Sequence, residues 1–226
     1  MSGDDSHRPA PPRLRARTGL VLLALGAAMF SVLAADLMEG GAITGADAGI
    51  SAWLHQRTHP ALTQLLVVVT HLHSTAGVYL MAALTALWLV WKRQLSWLPL
   101  LLASVPGGLA LNALVKQAFQ RARPSFDSPL PGLVSYSFPS GHTAGATVFW
   151  GFALILLLAH RPPLRWRVAG VVVALAMVLL TALSRVYLGV HYLSDVLAAM
   201  AEGVAWLAVC LTVQGRLSSR RAAASG

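Results

Sequence analysis

Gly19 to Ala35 is an unbroken apolar run, and five further apolar segments follow it along the chain. A segment of this kind has nowhere to bury itself in a small water-soluble domain. In a bilayer, a helix of about 20 apolar residues satisfies all of its own backbone groups and needs no other cover. The second segment has a leading half, Ala61 to Val69, and a main part, Gly77 to Trp91, with a break near His73-Ser74-Thr75-Ala76-Gly77. The others are Ser96 to Val115, His142 to Ala159, Val168 to Leu183 and Tyr192 to Val213. Only 11% of the residues are charged, against about 25% in soluble domains. The expected fold is therefore all-α, an integral membrane protein of six transmembrane helices. The first run exceeds the usual core of a signal peptide, and Leu33-Ala34-Ala35 is a poor cleavage site, so the first helix is expected to be retained, roughly over 18–38. Three regions follow: a disordered basic tail at 1–17, a six-span unit at 18–214, and a second basic, disordered tail at 215–226.

The charges orient the spans. With the N-terminus inside, the N-tail, 92–95, 160–167 and the C-tail hold four, two, three and three Lys or Arg, twelve of the seventeen in the chain. The positive-inside rule supports that orientation, with both termini cytoplasmic. The net charge of +9 then reports topology and suits an anionic lipid surface, so nucleic acid is not an expected partner. Lys116, Arg123 and Arg185 remain at the outer ends of spans, where the rule disfavours them. Something besides topology keeps them there.

Three polar stretches converge on that outer face, at the ends of spans three to six. In the first, Lys116 and Arg123 are seven apart, and share a face if the helix continues to Pro124. Two such cations fit a phosphate or another oxyanion, Arg123 as a planar fork and Lys116 as a point charge. An isolated pair of this kind would more readily snorkel to lipid headgroups, and Arg121 is read as the headgroup partner of the three. In the second stretch, Pro139-Ser140-Gly141-His142 opens an apolar helix. Ser140 is an N-cap, Gly141 permits close approach to the backbone, and the free N–H groups of the first turn attract anions. His142 stands beside them, placed to donate a proton, although a surface histidine on a capped helix has the same sequence. In the third, His191 and Asp195 are four apart and share a helical face. A carboxylate there fixes the imidazole tautomer and leaves the second nitrogen free to attack or take a proton. Arg185 ends the span before.

Two histidines in one oxyanion pocket suit phosphoryl transfer through a phosphohistidine, with cations and N–H groups on the equatorial oxygens. The sequence has no Cys/His metal pattern and no carboxylate cluster suited to Mg²⁺, so no metal or other cofactor is expected.

Lys116-x6-Arg123-Pro124, Pro139-Ser140-Gly141-His142 and Ser184-Arg185-x5-His191-x3-Asp195, in this order and on six spans, resemble the three-part signature of the type 2 phosphatidic acid phosphatase family. The resemblance covers roughly residues 18–214, with no departure at the signature positions. It implies His191 as nucleophile, Asp195 as its orienting partner and His142 as acid and base. It places Lys116, Arg123, Ser140, Gly141, His142 and Arg185 around the phosphate. It further implies metal-independent hydrolysis of a lipid phosphate or polyprenyl pyrophosphate at the outer leaflet. The vanadium haloperoxidases share the pocket, but six spans argue against that activity. Two alternatives remain: a lipid phosphotransferase with the same intermediate, and a protein that only binds or transports a lipid headgroup. A bacterial inner membrane is the expected location.

Other polar residues read as structure. Asp36, Glu39 and Asp47 are expected to be solvated, His71 and His73 interfacial, Asp127 a loop residue, and most tryptophans interfacial anchors. Glu202, inside span six, is either functional or a hydrogen-bonded packing residue.

Overall fold

The computed structural model describes residues 16–126 and 135–224, with side chains to Leu217. It consists, over those residues, of α1 (Ala16–Glu39), α2 (Ala42–His55), α3 (Pro60–Leu72), α4 (Thr75–Trp91), a short 3₁₀ turn at Leu95–Trp97, α5 (Leu98–Phe119), α6 (Gly141–Ala159), α7 (Leu164–Tyr187) and α8 (Leu193–Ala224). Among the described residues, five helices are long and apolar enough to cross a membrane, and α3 with α4 makes six if that pair, bent by 55°, counts as one broken span. The all-α, multi-span architecture expected from the apolar runs is thus present. Its outward faces carry exposed apolar side chains such as Leu25, Leu80, Leu84, Leu102, Leu114 and Val172, the surface a bilayer would cover.

The core lies where α4, α5, α6 and α8 meet, around Val78, Leu89, Leu101, Val105, Phe152 and Leu207. Small residues bring the backbones close. The Pro106-Gly107-Gly108 triplet sits inside an unbroken α5, and a Cβ on Gly108 would stand 2.9 Å from Val148 Cγ1 on α6. Gly26 lets α1 lie against α8, because a Cβ there would meet the Ala201 carbonyl at 2.8 Å.

The broken span has a specific pin. Ser74 caps α4 by accepting from the Gly77 N–H. His73, expected at an interface, is instead fully buried: its Nε2 accepts from Trp150 Nε1 at 2.9 Å and its Nδ1 meets the Val69 carbonyl. Two polar groups paired in the interior leave no buried donor unmatched, which a solvated histidine would not have required. Trp97 also departs from the interfacial role, being buried edge-on against Phe152.

Both ends of the bundle differ from expectation. α8 runs on to Ala224, so the boundary drawn at 214 falls inside a helix. Past Gly215 the sequence is rich in Arg and Ala, both good helix formers, with no proline to stop it. At the other end α5 stops at Phe119, not at Pro124, and Gln120 takes a left-handed φ of 47°. Residues 120–126 therefore leave the helix, and Ser137 N–H donates to the Arg121 carbonyl, tying this segment to the one that leads into α6. The basic tail before residue 16, and the loop residues 127–134 with Asp127, lie outside the described residues.

Candidate active site

The three polar stretches meet at one end of the bundle, where α5 ends, α6 and α8 begin, and α7 ends. Two backbone bonds fix this convergence. Ser140 N–H donates to the Asp195 carbonyl at 3.0 Å, joining the start of α6 to the start of α8. His191 N–H donates to the Arg185 carbonyl at 3.2 Å, closing the tight turn between α7 and α8. Gly189 makes that turn with φ of +69°, a conformation that costs a residue with a Cβ about 1–2 kcal/mol.

His191 is fully buried between opposite charges. Its Nδ1 faces Asp195 Oδ2 at 3.3 Å, and its Nε2 faces Arg123 Nη1 at 3.0 Å. Arg123 can only donate, so Nε2 presents a lone pair and the ring proton sits on Nδ1, toward the carboxylate. Burial, joined by the cations of Arg185 and Arg123, outweighs the attraction of Asp195 and pushes the His191 pKa down to about 3. The ring is neutral in the folded protein across the physiological range.

A consequence follows for stability. An unfolded chain protonates this histidine below its ordinary value of about 6.5, whereas the folded protein does not. The contribution is therefore complete above pH ~6.5 and is lost as the pH falls toward the folded value. Between pH 7 and pH 5 the wild type should lose about 2 kcal/mol through this group alone. His191→Gln, which cannot titrate, should lose that much less over the same interval in a chemical denaturation series.

Asp195 is fully buried at the first turn of α8 and every oxygen is occupied. Oδ2 takes the Ser137 hydroxyl, the Tyr192 N–H at 2.9 Å and the His191 ring. Oδ1 takes Arg121 Nη1 at 2.6 Å. Arg121, expected to face lipid headgroups, is instead inside the site. Asp47, expected in solvent, is buried and accepts from Arg121 Nη2 at 2.9 Å. The two misplacements have one cause: each charge supplies the partner that makes burial of the other tolerable.

The remaining groups surround His191. Arg123 donates Nε to the Ser135 carbonyl and Nη1 to the Val190 carbonyl, both at 2.7 Å, which holds its fork in place. Lys116 Nζ donates to the carbonyls of Tyr136 and Ser137 at 2.9 and 3.3 Å. Ser140 caps α6, its hydroxyl accepting from Thr143 N–H and Oγ1–H. A Cβ on Gly141 would approach Asn112 Oδ1 at 3.3 Å and Lys116 Cε at 3.7 Å, so the bare glycine keeps this helix start open toward the lysine. His142, on the next residue, makes no hydrogen bond to a described residue and lies within electrostatic reach of Arg185, His191, Arg123 and Lys116. Arg185 is buried with Nη1 on the Thr70 hydroxyl of α3, while no described group accepts from its Nε or Nη2. The eight residues singled out in the sequence thus stand together. A cavity of about 740 Å³ between α4 and α6, lined by Trp88, Lys92 and His160 among others, opens at the opposite end of the bundle and holds none of them.

The sequence model of the PAP2 superfamily matches residues 97–219, more than half of the chain. The chain belongs to the PAP2 superfamily. Phosphatidylglycerophosphatase B of Bacillus subtilis (strain 168) is 30% identical over 178 residues, 78% of this chain and 87% of that protein. Lipid A 1-phosphatase of Rhizobium johnstonii is 37% identical over 116 residues, 47% of this chain and 42% of that one. Among solved structures, the transmembrane PAP2-type phosphatidylglycerolphosphate phosphatase from Bacillus subtilis superposes with a TM-score of 0.71 at 24% identity, covering 90% of this chain and 96% of the other. Aquifex aeolicus LpxE superposes at 0.53 with 22% identity, covering 74% and 93%. These two likenesses establish a shared fold, that of transmembrane PAP2 phosphatases.

The chain is a multi-pass membrane phosphatase of the PAP2 superfamily. All eight residues fall inside the PAP2 match, and so does Arg121. Asp47 does not: it comes from α2, before the matched segment begins. Sequence reasoning missed both. Arg121 carried one usable signal, a third cation within a stretch that already held two at a disfavoured membrane face. Asp47 carried none, because its partners lie 74 and 147 residues away. Glu202 Oε2 accepts from Asn112 at 2.8 Å, while its buried Oε1 has no partner among the described residues.

Proposed function

We propose that the protein hydrolyses the phosphate or pyrophosphate of a membrane lipid through a covalent phosphohistidine on His191. The supporting observation is the setting of that ring, neutral, with Nδ1 on a carboxylate and the Nε2 lone pair turned into a cationic pocket. In the first step Nε2 attacks phosphorus in line as the P–O bond to the lipid breaks, and His142 gives its proton to the leaving oxygen. In the second, water attacks phosphorus, the P–N bond breaks, inorganic phosphate leaves, and His142 takes the proton of the water. Lys116, Arg123, Arg185 and the N–H groups at Ser140 and Gly141 hold the equatorial oxygens, where negative charge concentrates. Arg123 Nη1 now sits on the attacking lone pair, so substrate binding must move it onto a phosphate oxygen. Three cations provide the charge neutralisation that a metal ion gives other phosphatases, so turnover should not need one.

A substrate with its tails in the bilayer would reach the pocket sideways, between helices. The distribution of Lys and Arg supports cytoplasmic termini and a pocket on the outer side. We further take the membrane to be a bacterial inner membrane and residues 18–214 to be the working unit. The B. subtilis relative aligned over 78% of this chain makes phosphatidylglycerol phosphate the first lipid to test. Purified protein in detergent with EDTA should release phosphate from it, from phosphatidate or from a polyprenyl pyrophosphate. Acid-labile, base-stable label retained on the protein after a quench would identify phosphohistidine. Turnover abolished by EDTA and restored by Mg²⁺, or label on no histidine, would sink the mechanism.

A further inference from the structure

We propose that Arg121 and Asp47 are positioning residues for the reaction, a two-residue brace that makes α2 part of the catalytic apparatus. The inference rests on the role given to His191 and Asp195 above.

The geometry has a direction to it. Asp195 must keep one oxygen on His191 Nδ1, yet that contact is long, at 3.3 Å, and Oδ2 is shared with Ser137 and the Tyr192 N–H. The Ser137 and Tyr192 bonds hold Oδ2 itself, but they leave the carboxylate anchored at one oxygen only. The 2.6 Å bond from Arg121 to Oδ1 anchors the second oxygen, the one that faces away from the histidine, and so fixes the plane of the carboxylate. Arg121 is itself held on three sides. Nη2 bonds Asp47 at 2.9 Å, Nη1 also reaches the Ser194 hydroxyl at 2.7 Å, and the guanidinium lies 4.1 Å from the Tyr192 ring centre. Its side chain is only 10% exposed, so water does not compete for these bonds.

Asp47 does two things at once. Besides anchoring Arg121, it accepts from Ser194 N–H at 3.0 Å and from the Ser194 hydroxyl, which caps the first turn of α8 from another helix. That turn carries Asp195. The site of the charge is fixed by Asp36, which accepts from Ile43 and Thr44 N–H and so seats the start of α2 against the end of α1. A helix outside the PAP2 match therefore supports the residue that orients the nucleophile. Lysine cannot replace Arg121 here, since a single ammonium does not span two carboxylates with a planar fork.

The test uses full-length protein in detergent with Arg121→Met, Arg121→Lys, Asp47→Asn and the double variant Asp47→Asn/Arg121→Met, beside wild type and His191→Ala. Active sites are counted by titration with vanadate, an oxyanion that the pocket cations should still bind. Per titrated site, Arg121→Met and Asp47→Asn should each lower kcat by about 10–100-fold, with KM and vanadate affinity within about threefold of wild type. The double variant should be no worse than Arg121→Met, because both changes break one brace. Arg121→Lys should recover only part of the loss. A purely structural role predicts fewer titratable sites with unchanged kcat per site, and that result overturns the inference. So do multiplicative losses in the double variant, or full activity in Arg121→Lys. If Arg121→Met does not fold, the comparison of Asp47→Asn, Arg121→Lys and their double variant carries the same decision. Activity retained by His191→Ala would instead remove the underlying mechanism, whatever Arg121 does.

Discussion

His191→Ala should lose phosphate release by on the order of 10⁴-fold or more, with the folded fraction unchanged, because it removes the atom to which phosphorus is transferred. His142→Ala should behave differently. It leaves the nucleophile in place and removes a proton donor, a role worth about 10²–10⁴-fold. The size of its defect should therefore depend on the leaving group. A lipid alkoxide leaves poorly without a proton, whereas an aryl phosphate leaves as a stable phenolate. With p-nitrophenyl phosphate, His142→Ala should form the phosphoenzyme at nearly the wild-type rate and then stall, since water attack still needs a base. Rapid-quench labelling reads both steps. A burst of one phosphoryl group per site in His142→Ala, and none in His191→Ala, is the expected pair of results. Equal defects with both substrates and no burst would mean that the two histidines do not divide the work in this way.

Much of the site is legible in the sequence because its parts are local. His191 and Asp195 sit four apart, Ser140, Gly141 and His142 are consecutive, and an i, i+4 pair or a helix start keeps its geometry wherever the helix goes. The apolar runs supply the rest, since a span fixes which ends share a face. Lys116 and Arg123 show the limit. Their spacing was expected to work through a continuous helix, yet α5 ends at Phe119 and Arg123 reaches His191 from the non-helical segment that follows. The two residues arrive at the pocket through tertiary bonds to the 135–137 backbone, which a period of 3.6 cannot encode. Asp47 and Arg121 were misjudged for the same reason. Each looks like an isolated surface charge until the other is placed beside it, and the pairing spans 74 residues. His73 is a parallel case at the α3–α4 break, where Trp150 supplies the partner from α6.

Arg185→Met should separate stability from function with opposite signs. Arg185 is 1% exposed, its Nη1 bonds a neutral threonine hydroxyl, and neither Nε nor Nη2 has an acceptor among the described residues. No carboxylate among the described residues pairs with it, and Arg123 and Lys116 add like charge nearby. A buried cation in that setting is held at a desolvation cost that no counter-charge offsets, so an apolar side chain of similar volume removes that cost. Arg185→Met should therefore melt no lower than wild type in the absence of ligand. Its kcat/KM should nonetheless fall by about 10²–10³-fold, the usual loss when one preorganised donor to a developing oxyanion is removed. Vanadate should decide the cause. It should raise the melting temperature of the wild type, by giving the unpaired N–H groups an acceptor, and raise that of Arg185→Met far less. A variant that melts well below wild type and responds equally to vanadate would make Arg185 a structural link to Thr70 and α3. The opposite pattern would mean that the fold tolerates an unpaired charge in its interior because a phosphate is what completes it.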